Sequence, residues 1–198
     1  MAPRRRLQRP AIFVCDIQEK FRSAIWEFDK IVLTTQKLLR AAKILNIPVY
    51  VTTQNGARLG ATVPEVQSLL GNVATIDKTY FSMWVPEIQQ HFDSSTPSEV
   101  VIVGIESHVC VTQTALDLLE AGHKVYVIAD GVSSCNQQEV PVALARLRAE
   151  GVTVTTSESF IFECMGDAAI PEFREVSKLI KETSGDTKTA LGGVLSKI

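Results

Sequence analysis

Three residues far apart in the chain carry the chemistry that this sequence offers: Cys110 in "VGIESHVCV", Asp16 in "CDIQ" and Lys78 in "DKTYFSMW". If a helix begins near Ser107 or His108, Cys110 lies in its first turn, where free backbone N–H groups and the helix dipole favour a thiolate. The same N–H groups could hold the oxyanion formed when sulfur attacks a carbonyl. The other reading of Cys110 is a small buried core residue. Asp16 could cap the next helix, or take a proton from a thiol and return it to a leaving amine. Lys78 could be a solvated surface cation, or could stabilise a thiolate and a developing oxyanion in a pocket. Tyr80, Phe81 and Trp84 beside it, with Phe21 and Trp26, are candidates for pocket walls or for core. Acid/base, cation and nucleophile together are the grouping that thiol-dependent acyl transfer requires.

The elements that must position them alternate in type. Residues 11–16, 48–54, 99–105, 124–130 and 152–156 are short β-branched or apolar runs, predicted as strands. Residues 28–46, 110–122, 139–151 and 171–182 have apolar spacing that predicts helices, two of them stopped by Gly122 and Gly151. The stretch 55–98 is less regular, with a short strand near 74–78 and a helix around 85–92. Alternation of this kind predicts an α/β fold, a parallel sheet with helices on both faces. Ligands of such sheets bind beyond the carboxyl ends of the strands, where Asp16, Lys78 and residues 106–110 all fall. Residues 183–198 lack periodicity and are expected to be loose or to form an arm on a partner subunit, through Leu191, Val194, Leu195 and Ile198.

Composition narrows the function classes. The chain has 198 residues, 45% apolar and 21% charged, with a net charge of −2, which fits one globular domain. An acidic balance gives no broad basic surface for nucleic acid, and no apolar run approaches the roughly 20 residues that span a bilayer. The first ten residues, with four arginines, are expected to be a flexible basic tail or a fragment of an organelle-targeting signal. Four dispersed cysteines, with no CxxC, point to free thiols in a reducing compartment, cytoplasmic or, if the arginines target it, mitochondrial. The turn after the first strand lacks the GxGxxG of a dinucleotide site, so an oxidoreductase is disfavoured. No acidic cluster or His pair supports a metal-dependent nuclease. A silent scaffold that keeps the pocket stays open as a non-enzymatic alternative.

The segments "DIQEKF" (16–21), "KTYFSM" (78–83), "VGIESHVCV" (103–111), "DGVSS" (130–134) and "TSES" (156–159) resemble, in order and spacing, the isochorismatase-like cysteine hydrolases. The likeness covers roughly residues 11–182 and is greatest to the isochorismatase-domain-containing subgroup. It implies a three-layer, Rossmann-like fold with a mainly parallel six-stranded sheet, and an Asp16–Lys78–Cys110 triad. It also implies a cis peptide between Ile105 and Glu106, with the backbone N–H groups of Glu106 and Cys110 as an oxyanion hole. Self-association is a further implication. Residues 51–60, "VTTQNGARLG", lack the Asp-x-His pair of the nicotinamidase metal site, and His91, His108 and His123 are scattered. No metal and no other cofactor is therefore expected. Since Cys110 is present, hydrolysis of a small amide-type substrate is favoured over the vinyl-ether cleavage of isochorismatases.

Overall fold

The computed structural model describes residues 5–93 and 95–195. Strand β1 (Pro10–Cys15) leads through a 3₁₀ turn (Glu19–Phe21) into α1 (Phe28–Leu45) and β2 (Val49–Gln54). Two short helices, α2 (Gly56–Leu59) and α3 (Pro64–Leu70), precede β3 (Thr75–Lys78). The chain then passes through α4 (Pro86–Gln89) to β4 (Glu99–Ile105), a π-helical turn (Ser107–Val111) and α5 (Thr112–Glu120). Strand β5 (Lys124–Ser133), α6 (Glu139–Ala149), β6 (Thr153–Thr155), α7 (Ser157–Met165), α8 (Phe173–Glu182) and α9 (Ser184–Ala190) complete the described fold.

The six strands form one sheet in the order β3-β2-β1-β4-β5-β6, every ladder parallel. Strand alternation sends β1 side chains to two cores. Ile12 and Val14 join α1, α3, α7 and α8 on one face. Phe13 and Cys15 face α5 and α6 on the other. The three-layer α/β expectation is met, and the sheet is wholly parallel where it was expected to be mainly so.

The strand order reverses between β1 and β4, because the chain runs outward from β1 through β2 and β3 and returns to pair β4 with β1. That switch leaves a crevice at the carboxyl ends of these two strands. Gly104 makes the pairing there close: its φ is +115°, and a Cβ on it would collide with the Cys15 backbone carbonyl. Only glycine lets the end of β4 lie so near the end of β1.

The described parts of both chain ends pack on the domain. Residues 5–9 are docked: Arg5 pairs with Glu172 at 3.0 Å, Leu7 is buried, and the Gln8 and Arg9 N–H groups donate to Glu99. Residues 1–4 lie outside the described region. The segment after 183 is helical, not loose, and packs on α1 of its own domain. Buried Lys37 donates to Thr187 at 2.7 Å, and Val194 is fully buried. Val194 is thus committed to its own domain; Ile198 lies outside the described residues.

Candidate active site

The backbone turns sharply after β1. Asp16 has φ +51°, a left-handed conformation that Asp tolerates better than most residues. Its buried carboxylate accepts from Lys78 Nζ at 2.8 Å through Oδ2 and from Thr52 Oγ1 at 2.8 Å through Oδ1. Lys78, at the end of β3, also donates to Gln54 Oε1 (2.9 Å) and to the carbonyls of Tyr80 (3.1 Å) and Phe81 (3.0 Å). Burial works to lower the Lys78 pKa, but its acidic neighbours, the Asp16 carboxylate among them, outweigh it, and the ammonium titrates above its ordinary value.

Cys110 lies in the π-helical turn that starts after Glu106, a widened turn of the kind often found at functional sites. The carbonyl of Glu106 accepts from the N–H groups of Val109 and Val111, both at 3.1 Å. Thr114 Oγ1 donates to the Cys110 carbonyl (2.6 Å) and accepts from the Met83 N–H (2.8 Å). One hydroxyl thereby ties the turn holding Cys110 to the segment that follows Lys78. The Ile105–Glu106 peptide is cis, as the resemblance implies.

The three candidate residues converge. Cys110 Sγ, an Asp16 carboxylate oxygen and Cys15 Sγ all lie within 4.8 Å of one another, and Lys78 holds the same carboxylate. Cys15 was not anticipated. It is fully buried, and its thiol donates to Asp16 Oδ2 at 3.6 Å. Burial pushes its pKa well up, with added contributions from a hydrogen bond to Cys110 and the Asp16 charge. Thr52 and Gln54 were also missed. Register brings two of them in, since Cys15 pairs with Thr52 on β2 and with Gly104 on β4, and no single segment of the sequence shows it.

The pocket candidates divide. Tyr80 and Phe81 are 74% and 50% exposed, so their rings are free at the mouth of the site while their carbonyls hold Lys78. Trp26 meets the end of β5, its backbone N–H donating to the Ser134 carbonyl at 3.0 Å. Phe21 packs against the core on the α1 side. Trp84 turns away from the crevice. It packs edge-on against Phe92 and His123, and His123 Nδ1 accepts from the Ser98 N–H at the amino end of β4. Trp84 is therefore half-buried against the core toward the opposite end of the sheet, because its neighbour Phe92 folds toward Phe13 and Tyr50.

The remaining motifs brace the crevice. Asp130 accepts from Ser157 N (2.8 Å) and Ser157 Oγ (2.5 Å), joining "DGVSS" to "TSES" at the start of α7. Ser134 Oγ meets Ser107 Oγ (2.5 Å) and His108 Nδ1 (2.9 Å). Two groups bring donor atoms suited to a metal within 4.8 Å: Cys15, Asp16 and Cys110, and Glu106, His108 and Cys135. In the first, the Lys78 ammonium already occupies the carboxylate. In the second, Glu106 accepts the Cys135 N–H at 2.7 Å and His108 is bound to Ser134. A surface cavity of about 860 Å³ lies elsewhere, beside Arg5, Leu7, Gln8 and Tyr126. The convergent charged and nucleophilic groups lie at the crevice and not at that cavity. Among the described residues no helix is long and apolar enough to cross a membrane.

Known proteins share this fold and sequence. The isochorismatase domain model matches residues 10–159. The secreted isochorismatase effector Isc1 of Phytophthora sojae is 46% identical over 176 residues, covering 86% of this chain and 84% of that protein. Isochorismatase domain-containing protein 2 of Macaca fascicularis is 44% identical over 177 residues, covering 89% and 85%. A solved structure of the MAR1 ribonuclease from Caenorhabditis elegans superposes with a TM-score of 0.83 at 43% identity, covering 87% of this chain and 89% of that one. With its wholly parallel sheet and these relatives, the chain belongs to the isochorismatase family, in the isochorismatase-domain-containing subgroup.

Proposed function

We propose that the chain is a cysteine hydrolase of small amide-type substrates, with Asp16, Lys78 and Cys110 as its catalytic residues. The observation that carries this reading is the convergence of a thiol and a carboxylate within 4.8 Å, the carboxylate held by a buried ammonium. Asp16 takes the Cys110 proton, and Lys78 offsets the negative charge of the pair. Sulfur attacks the substrate carbonyl carbon, and the backbone N–H groups of Glu106 and Cys110 receive the oxyanion. Asp16 returns the proton to the departing amine, leaving a thioester on Cys110. Water then gives a proton to Asp16 and attacks the thioester, and the sulfur leaves to regain that proton.

The test is a panel of small amides, ureides and vinyl ethers, read by ammonia or product release. Amide turnover that Cys110→Ala lowers at least about 1,000-fold supports the reading; turnover of the same amide that survives the substitution overturns it. Two relatives favour other readings by name, an isochorismatase effector and a ribonuclease. Vinyl-ether cleavage that persists in Cys110→Ala, with Asp16 as the proton donor, would favour the first. RNA cleavage by the pure protein, unaffected by Cys110→Ala, would favour the second.

A further inference from the structure

The proposed mechanism uses one thiol, yet two stand at the site. Cys15 Sγ and Cys110 Sγ lie within 4.8 Å of each other, with the Asp16 carboxylate within the same distance of both. Cys15 is at the carboxyl end of β1, a central strand of the sheet, and is fully buried; Cys110 keeps 7% exposure. Of the two, Cys110 alone keeps any exposure to solvent. The remaining cysteines are placed differently, Cys135 on the surface and Cys164 in the core on the other face of the sheet.

We propose that Cys110 is a site of reversible oxidation by hydroperoxides and that Cys15 is its resolving thiol. The Cys110 thiolate attacks the outer peroxide oxygen, the O–O bond breaks, and the alcohol or water leaves with a proton, so that sulfur is oxidised to a sulfenic acid and the peroxide is reduced. Cys15, whose S–H already points at Asp16 Oδ2, gives its proton to that carboxylate and attacks the Cys110 sulfur. The S–O bond breaks, the hydroxide departs as water with the proton from Asp16, and a Cys15–Cys110 disulfide remains. Closing the gap to a bond of about 2.05 Å requires the sulfurs to approach, a movement that falls to Cys110 in its π-helical turn because Cys15 is fixed in the sheet. The disulfide would silence the nucleophile while guarding it from irreversible sulfinic acid, and a thiol reductant would restore it.

This inference rests on Cys110 being the reactive thiol of the proposed function, and the test separates the two. The reduced full chain is treated with hydrogen peroxide at neutral pH, blocked with N-ethylmaleimide and digested without reductant. The expected product is a peptide pair joined through Cys15 and Cys110, reversed by dithiothreitol. In Cys15→Ser, Cys110 should instead proceed to sulfinic acid, which dithiothreitol does not reverse, and Cys15→Ala should behave alike if it is the better-folded variant. Sulfinic acid on Cys110 of the unaltered chain, formed as fast as in the variants, would overturn the inference, as would a peroxide-inert Cys110. Iodoacetamide labelling of the untreated protein reports on the nucleophile itself: fast labelling of Cys110 without the cross-link rejects only the disulfide, whereas slow labelling rejects both.

Discussion

At the residue scale, the arrangement depends on a carboxylate and an ammonium that share almost no contact with water, each side chain 1% exposed. Removing one charge leaves the other buried and uncompensated, which costs about 3–5 kcal/mol in comparable pairs. Asp16→Asn should lower stability by that amount in urea unfolding, and abolish activity. A loss under about 1 kcal/mol would mean that the pair is solvated. The sign of the Lys78 shift adds a pH condition. Its folded pKa is raised, so its stabilising charge is complete below the ordinary value of 10.5 and lost only as pH rises past it. Any decline in activity between pH 7 and 10 must therefore come from a group other than Lys78.

At the element scale, the end of β4 is pressed against the end of β1 through Gly104. The φ of +115° and the collision with the Cys15 carbonyl both forbid a side chain. Gly104→Ala should cost about 1–3 kcal/mol for the backbone conformation alone, with a further loss of Cys110 reactivity as the crevice opens; thermal unfolding and thiol labelling measure the two. Much at this scale was legible in the sequence. Strand-ending Asp16, Lys78 and Cys110 stand out because motif and alternation are local properties of the chain. Cys15 was not, because a residue's neighbour across the sheet follows from register, and the register of β1 with β4 is written in no single segment. Trp84 was misplaced for a related reason: "DKTYFSMW" fixes a nearby segment, but the direction of its last ring is set by Phe92 and His123.

At the scale of the whole molecule, the fold brings three strand ends to one rim and braces them from behind. Helix α1 carries much of that bracing, since it packs on β4, β5, α3, α7, α8 and α9. The last of these was invisible in the sequence. Residues 184–190, "SGDTKTA", have weak helix formers and no apolar stripe, and their helix is held by tertiary contacts, Lys37 to Thr187 and the burial of Ala190 and Val194. Val194→Asp would place an unpaired charge in the core and should destabilise the protein by about 3 kcal/mol or more. An unchanged melting temperature would show that the segment is detached in solution.

Cys110 must be activated by its surroundings for any of this chemistry to run, and the relative alkylation rates of the four cysteines test that most directly. Burial alone would make exposed Cys135 react first and leave Cys110, Cys15 and Cys164 protected. Burial pushes the Cys15 thiol well up and the Cys164 thiol up to about 12, and the hydrogen bond to Glu106 raises Cys135. With the Asp16 carboxylate within 4.8 Å of its sulfur to take the proton, limiting iodoacetamide at pH 7, read by peptide mass spectrometry, should label Cys110 first, despite its 7% exposure, and Asp16→Asn should slow that labelling. Labelling that follows exposure, with Cys135 first and Cys110 indifferent to Asp16, would contradict it.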